Sequence, residues 1–108
     1  MQENSINKYL LGLKNVRLSH PYGKELDVYS INKKMFAMSE TSKKPNRISL
    51  RCDKRLATLL KEKYDEVMPG HKLNKDKWIT IVASGQLSVN EIKDLITHSY
   101  LLVKDEDS

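Results

Sequence analysis

Asp27-Val28-Tyr29-Ser30-Ile31-Asn32-Lys33-Lys34-Met35-Phe36-Ala37-Met38-Ser39 decides the fold: two short apolar runs rich in β-branched and aromatic residues flank the pair Asn32-Lys33. Asparagine tolerates the left-handed backbone of a tight hairpin turn, so the stretch reads as two antiparallel strands joined by two residues. A strictly alternating register puts Ile31 opposite Lys34, Tyr29 opposite Phe36 and Val28 opposite Ala37. It predicts that Tyr29, Ile31, Phe36 and Met38 share the core face. Beyond a polar segment, Glu40 to Asn46, comes Arg47-Ile48-Ser49-Leu50-Arg51-Cys52. Here Ile48, Leu50 and Cys52 are expected inward, with Arg47, Ser49 and Arg51 on the opposite face.

Helices are expected around these three strands. Ile6, Leu10 and Leu13 recur at helical spacing, predicting a helix over residues 5–15 that Gly12 weakens. His20-Pro21-Tyr22-Gly23 is a turn, because Pro21 disfavours helix at His20 and Gly23 admits unusual backbone angles. Asp53 is an N-cap for a helix reaching about Tyr64, with Leu56, Leu59, Leu60 and Tyr64 as its buried stripe. Met68-Pro69-Gly70 ends that region, and a charged connection leads to a strand over residues 78–82. Ser88 and Glu91 form a capping box for a last helix whose stripe is Ile92, Leu95, Ile96, Ser99 and Val103. The expected class is α+β, an antiparallel sheet packed against helices in the order α-β-β-β-α-β-α. One domain over residues 1–104 and a short acidic tail over 105–108 are expected.

Composition narrows the function. A chain of 108 residues holds one modest core, and 39% apolar with 31% charged residues is the balance of a globular domain. No apolar run approaches the ~20 residues that cross a bilayer. Met1-Gln2-Glu3-Asn4-Ser5 lacks the basic start and apolar stretch of a secretory signal. The lone Cys52 excludes an internal disulfide framework, so a cytoplasmic protein is expected. The net charge is +5, concentrated between Lys33 and Arg55, where eight bases face only Glu40 and Asp53. A basic middle followed by Asp105-Glu106-Asp107-Ser108 points to an anionic partner, with nucleic acid first and an acidic protein second.

Catalytic and metal-binding patterns are missing. His20, His71 and His98 occur in unrelated contexts without H-x-x-x-H or C-x-x-C spacing, so no metal site and no cofactor are expected. Cys52 alternates with Ile48 and Leu50, which makes it a buried inert thiol rather than a nucleophile. The four glycines form no phosphate-cradling loop. Trp78, the only tryptophan, opens a strand and is read as core, with base stacking the alternative.

Five ordered stretches carry a family resemblance. They are Pro21-Tyr22-Gly23, Lys34-Met35-Phe36-Ala37, Ser49-Leu50-Arg51-Cys52-Asp53, the set Pro69, Gly70, Asn74, Lys75, Trp78 and Thr80, and Ser99-Tyr100-Leu101-Leu102-Val103. Together they resemble the MmcQ/YjbR-like family of small bacterial proteins from His20 to Val103. The resemblance implies a compact α+β protein with a double wing of β-hairpins and a DNA-binding role. Where the family pattern has histidines before the Asn-Lys and the tryptophan, this chain has Lys72 and Lys77. A role needing positive charge therefore survives, and one needing imidazole chemistry does not.

The reading that follows is a non-enzymatic nucleic-acid-binding domain, with double-stranded DNA the expected ligand. The hairpin and the 40–46 loop would approach the backbone together. Lys33, Lys34, Lys43, Lys44, Arg47 and Arg51 are the expected phosphate contacts, and Lys72, Lys75 and Lys77 form a second patch. The alternatives are a module for an acidic protein and a small-molecule pocket near Asn74 and Trp78.

Overall fold

The computed structural model describes residues 2–40, 45–70, 74 and 76–105. Three helices, α1 (Gln2–Gly12), α2 (Lys54–Lys63) and α3 (Val89–Asp105), accompany six strands. The strands are β1 (Arg17–Ser19), β2 (Leu26–Ile31), β3 (Lys34–Glu40), β4 (Arg47–Arg51), β5 (Val67–Pro69) and β6 (Trp78–Val82). They form one antiparallel sheet in the order β1-β2-β3-β4-β6-β5. The α+β class and the order of the expected elements hold. Two three-residue edge strands are added: β1, which had no expected counterpart, and β5, where Met68-Pro69 had been expected only to end a region. Asp105, expected in the tail, is the last residue of α3.

The hairpin turn is as expected. Asn32 and Lys33 have φ of 53° and 66°, the left-handed pair that a two-residue turn requires. Its register is not. Ile31 faces Lys34 and Ser30 faces Met35, but Tyr29 faces Ala37 and Val28 faces Met38, because a bulge leaves Phe36 as an extra residue on β3. The bulge turns both Phe36 and Ala37 toward the helices and sends Met38 to the other face; Met38 is buried as expected, but it does not share the face of Tyr29, Ile31 and Phe36. Phe36 meets Tyr100 edge to face, with ring centroids 5.7 Å apart. The Ser99 hydroxyl donates to the Phe36 carbonyl at 2.6 Å, giving the bulge a hydrogen-bond partner on α3.

All three helices pack on one face. The core joins Ile6 and Leu10 of α1, Ala57 of α2, and Ile92, Ile96, Tyr100 and Val103 of α3 to Tyr29, Ile31, Phe36, Ala37, Ile48, Leu50, Val67, Ile79 and Ile81 of the sheet. Helix α1 is tied to α3 through the Tyr9 and Thr97 hydroxyls, and the Tyr100 hydroxyl donates to the Lys14 carbonyl at 2.7 Å. It ends at Gly12, short of the expected Asn15, which takes a left-handed φ of 67° beyond it.

Both caps form as expected. The Asp53 carboxylate accepts from the Arg55 and Leu56 N–H groups at 3.0 and 3.3 Å. Glu91 accepts from the Ser88 N–H at 2.9 Å while the Ser88 hydroxyl accepts from the Glu91 N–H at 3.1 Å. Glu91 is held below the usual carboxylate range by the Ser88 N–H first and the Tyr64 hydroxyl second. The expected stripe of α2 needs correction: Ala57 is its buried residue, Leu56, Leu60 and Tyr64 are half-buried, and Leu59 is 62% exposed. On α3, Leu95 is only half-buried and Tyr100 joins the stripe.

Two substitutions test this packing. Ser99→Ala leaves the Phe36 carbonyl without its donor in a buried site and is expected to cost about 1–3 kcal/mol. Leu59→Ala is expected to change stability by less than about 0.5 kcal/mol. Urea midpoints at an unchanged m-value check both.

Candidate nucleic-acid interface

Directly opposed residues in an antiparallel ladder share a face, so the pairings show what the helix-free side carries. One row is Val28–Met38–Ser49–Thr80–Met68. Toward the hairpin turn lie Arg17–Ser30–Met35 and the pair Arg51–Trp78, and toward the other end Leu26–Glu40–Arg47–Val82. Arg47, Ser49 and Arg51 thus share this face as expected, and Arg17 joins them. None of these residues belongs to the helix-packed cluster. Ser49 and Thr80 hydroxyls hydrogen-bond at 2.9 Å, and the Arg51 guanidinium lies over the Trp78 ring, 6.0 Å from its centroid. Trp78 is 7% exposed, in keeping with its expected core placement, and Thr80 is 2% exposed.

The cations divide between the two ends of the sheet. At the hairpin end stand Lys33 and Lys34 beside the turn, Arg51 closing β4, and Lys77, whose carbonyl accepts from the Cys52 N–H at 2.8 Å. Arg17, which pairs with Ser30, and Lys54 and Arg55, which open α2, join them there. The strand ends, turn and helix start at this end carry only two described carboxylates, Asp53 and Asp76, and Asp53 is engaged as an N-cap. Arg47 lies at the opposite end, across from Glu40. The hairpin turn and Glu40, where the expected loop begins, lie at opposite ends of the seven-residue β3, about 20 Å apart, and the loop's residues 41–44 lie outside the described residues. Lys43, Lys44, Lys72 and Lys75 lie outside the described residues. Arg17 escaped the sequence reading because only strand pairing brings it to this end, and Lys54 and Arg55, counted in the basic stretch, were not expected as contacts because only the cap and the fold place them here.

The remaining signature residues have structural work. The Asn74 side chain accepts from the Asp76 N–H at 2.9 Å and its carbonyl from the Lys77 and Trp78 N–H groups, which makes Asn74 the turn that starts β6. Gly70 N–H donates to the Trp78 carbonyl at 3.1 Å, beside Pro69 at the end of β5. His20 Nε2 pairs with Asp27 at 2.8 Å, and His98 Nε2 accepts from the Asp53 N–H at 3.2 Å. His71 lies outside the described residues. Burial, then the Asp53 carboxylate, pushes the Cys52 thiol up to about 11, against a nearby Lys61. Burial, then Asp27, raises Tyr29 to about 12. Among the described residues no group of three or more His, Cys, Asp or Glu side chains could hold a metal ion, and no helix is long and apolar enough to cross a membrane.

The YjbR family model matches residues 11–102. The uncharacterized protein YbdF of Escherichia coli O157:H7 is 34% identical over 95 residues, covering 88% of this chain and 78% of that protein. The uncharacterized protein YjbR of Escherichia coli K12 is 33% identical over 66 residues, 61% of this chain and 56% of that protein. A crystal structure of protein DR2400 from Deinococcus radiodurans, a DUF419 domain, has the same fold, with a TM-score of 0.92 at 23% identity over 98% of this chain and 80% of that one. A crystal structure of a protein from Pseudomonas syringae gives 0.80 at 26% identity, over 95% of this chain and 99% of that one.

Cys52 and Tyr29 yield a pH prediction. Folding raises both values, so their contribution to stability is complete below the unfolded values, about 8.5 and 10. It is lost as pH rises through the folded values near 11 and 12. The urea midpoint is expected to fall between pH 8 and pH 11, and Cys52→Ala to remove the thiol's share of that fall. At pH 8 a thiol reagent is expected to label Cys52 only as fast as the chain opens.

Proposed function

The chain belongs to the YjbR family, and we propose that it is a non-enzymatic nucleic-acid-binding domain that grips phosphates. The observation that carries the reading is the hairpin end of the sheet, where seven cations from five parts of the chain stand with two carboxylates among the described residues, one of them already a helix cap. Contacts of this kind fix a protein on the phosphate backbone without reading sequence. Duplex DNA is a ligand for these protruding side chains: the turn at Lys33, the start of α2 and Lys77 are all exposed. The interior location of the Cys52 thiol speaks for binding rather than thiol catalysis. A cytoplasmic setting accords with this reading, since nucleic acid is present there and a lone thiol stays reduced.

Fluorescence anisotropy with labelled duplexes over a range of salt concentrations tests the proposal. With about five phosphate contacts, log affinity is expected to fall with log salt at a slope near −4.5. Combining Lys33→Ala with Lys77→Ala is expected to weaken binding to unrelated sequences by the same factor and to flatten the slope by about two. A chain that binds no nucleic acid at low salt, or whose double variant binds with unchanged slope, is not a domain of this kind.

A further inference from the structure

We infer that helix α2 presents a docking surface for an acidic amphipathic helix of a partner protein. The inference stands apart from the nucleic-acid reading and assigns a second face of the molecule. Helix α2 carries two leucine-bearing rows, and only one of them turns toward the core. The inner row is Leu56, Leu60 and the capping Tyr64, all half-buried against the core cluster. The outer row is Arg55, Leu59 and Lys63 at a spacing of one turn, all exposed, with Leu59 at 62%. Leu59 thus stands between one cation a turn before it and another a turn after it.

The neighbouring helix extends this surface. His98 of α3 accepts from the Asp53 N–H where α2 starts, and the Tyr64 hydroxyl donates to Glu91 of α3 where α2 ends, at 3.2 and 3.1 Å. The two helices therefore lie side by side in opposite directions. Leu95 of α3 falls between the ties and is half-buried like Leu56 and Leu60. From Arg55 to Lys63 the strip is about 12 Å long, a little over two helical turns. Charge selects its occupant. Within α2 the cations Lys54, Arg55, Lys61 and Lys63 stand with one carboxylate, Glu62. On the adjoining part of α3, Glu91 is committed to the Ser88 N–H and the Tyr64 hydroxyl, and Asp94 is the other carboxylate there. A second copy meets this strip badly: laid antiparallel on Leu59, its α2 sets Lys63 against Arg55, and laid parallel it sets each cation against its own equivalent. Phosphates suit the cations but leave Leu59 in water. A helix with a leucine face and glutamates beside it covers both.

Anisotropy titrations with labelled synthetic peptides test this. One peptide carries leucines at i, i+3, i+4 and i+7 with glutamates beside them, a second has lysines in place of the glutamates, and a third breaks the first with a central proline. The acidic peptide is expected to bind at micromolar concentration, and the lysine and proline peptides about tenfold or more weakly than it. Leu59→Ala removes an exposed side chain without touching the core. It is expected to weaken the acidic peptide about fivefold or more and to leave duplex affinity within about twofold. Lys63→Glu is expected to weaken the same peptide about threefold or more. Circular dichroism shows whether the variants fold, and the comparison of peptides on the wild-type chain stands without them. An acidic peptide that does not bind, a lysine peptide that binds as well, or indifference to Leu59→Ala would overturn the inference. So would self-association in sedimentation velocity that Leu59→Ala abolishes, which gives the strip to a second copy, or duplex binding that Leu59→Ala abolishes, which gives it to nucleic acid. Each of these outcomes leaves the phosphate-binding proposal standing.

Discussion

The packing of every helix on one side of the sheet is the constraint from which the surface chemistry follows. Side chains alternate along a strand, so once Ile48 and Leu50 are committed to the helices, Arg47, Ser49 and Arg51 have no choice of face. A slip of one residue would bury two guanidinium groups and expose two aliphatic side chains, which makes the register of β4 one of the most strongly determined features of the molecule. The ladder to β6 holds it from one side, through Leu50–Ile79 and Ile48–Ile81, and the ladder to β3 holds it from the other.

The bulge at Phe36 reconciles that register with the hairpin. Without an extra residue, the tight Asn32-Lys33 turn would set Phe36 opposite Tyr29 and the rest of β3 out of phase with β4. With it, Phe36 and Ala37 both turn inward and Met38 joins the arginine face. The site where the ladder breaks is also where α3 docks, through Tyr100 on the Phe36 ring and Ser99 on the Phe36 carbonyl. The cost of an interrupted ladder is thereby met by tertiary contact, which is how bulges persist in sheets.

Those same features show what was legible in the sequence. Arg47 to Cys52 could be read outright, because strict alternation has one interpretation. The Asp53 cap and the Ser88–Glu91 box were readable because side chains close in sequence form them. The bulge was not, since Phe36 fits either face and only the partner strand decides. Leu59 misled because α2 meets the sheet mainly through Ala57, a residue too small to mark a stripe. Strands β1 and β5 are three residues each, too short for periodicity, and exist as strands only by pairing with β2 and β6. Charge was legible as an amount and illegible as a place. Lys33 and Arg47 are neighbours in a count along the chain, yet β3 holds them at opposite ends of the sheet.

The signature that made the chain recognisable serves its architecture first. Asn74 closes the turn before β6, Gly70 lets β5 reach the Trp78 carbonyl, and Thr80 meets Ser49 across the ladder. In this chain the signature is therefore occupied with holding strands and turns. Lys33, Lys77 and Arg17 at the hairpin end are not part of it: Lys33 lies in the exposed hairpin turn, Lys77 just before β6 and Arg17 on β1. Architecture and surface charge thus rest on different side chains, which is why the signature identifies the fold and leaves the ligand open.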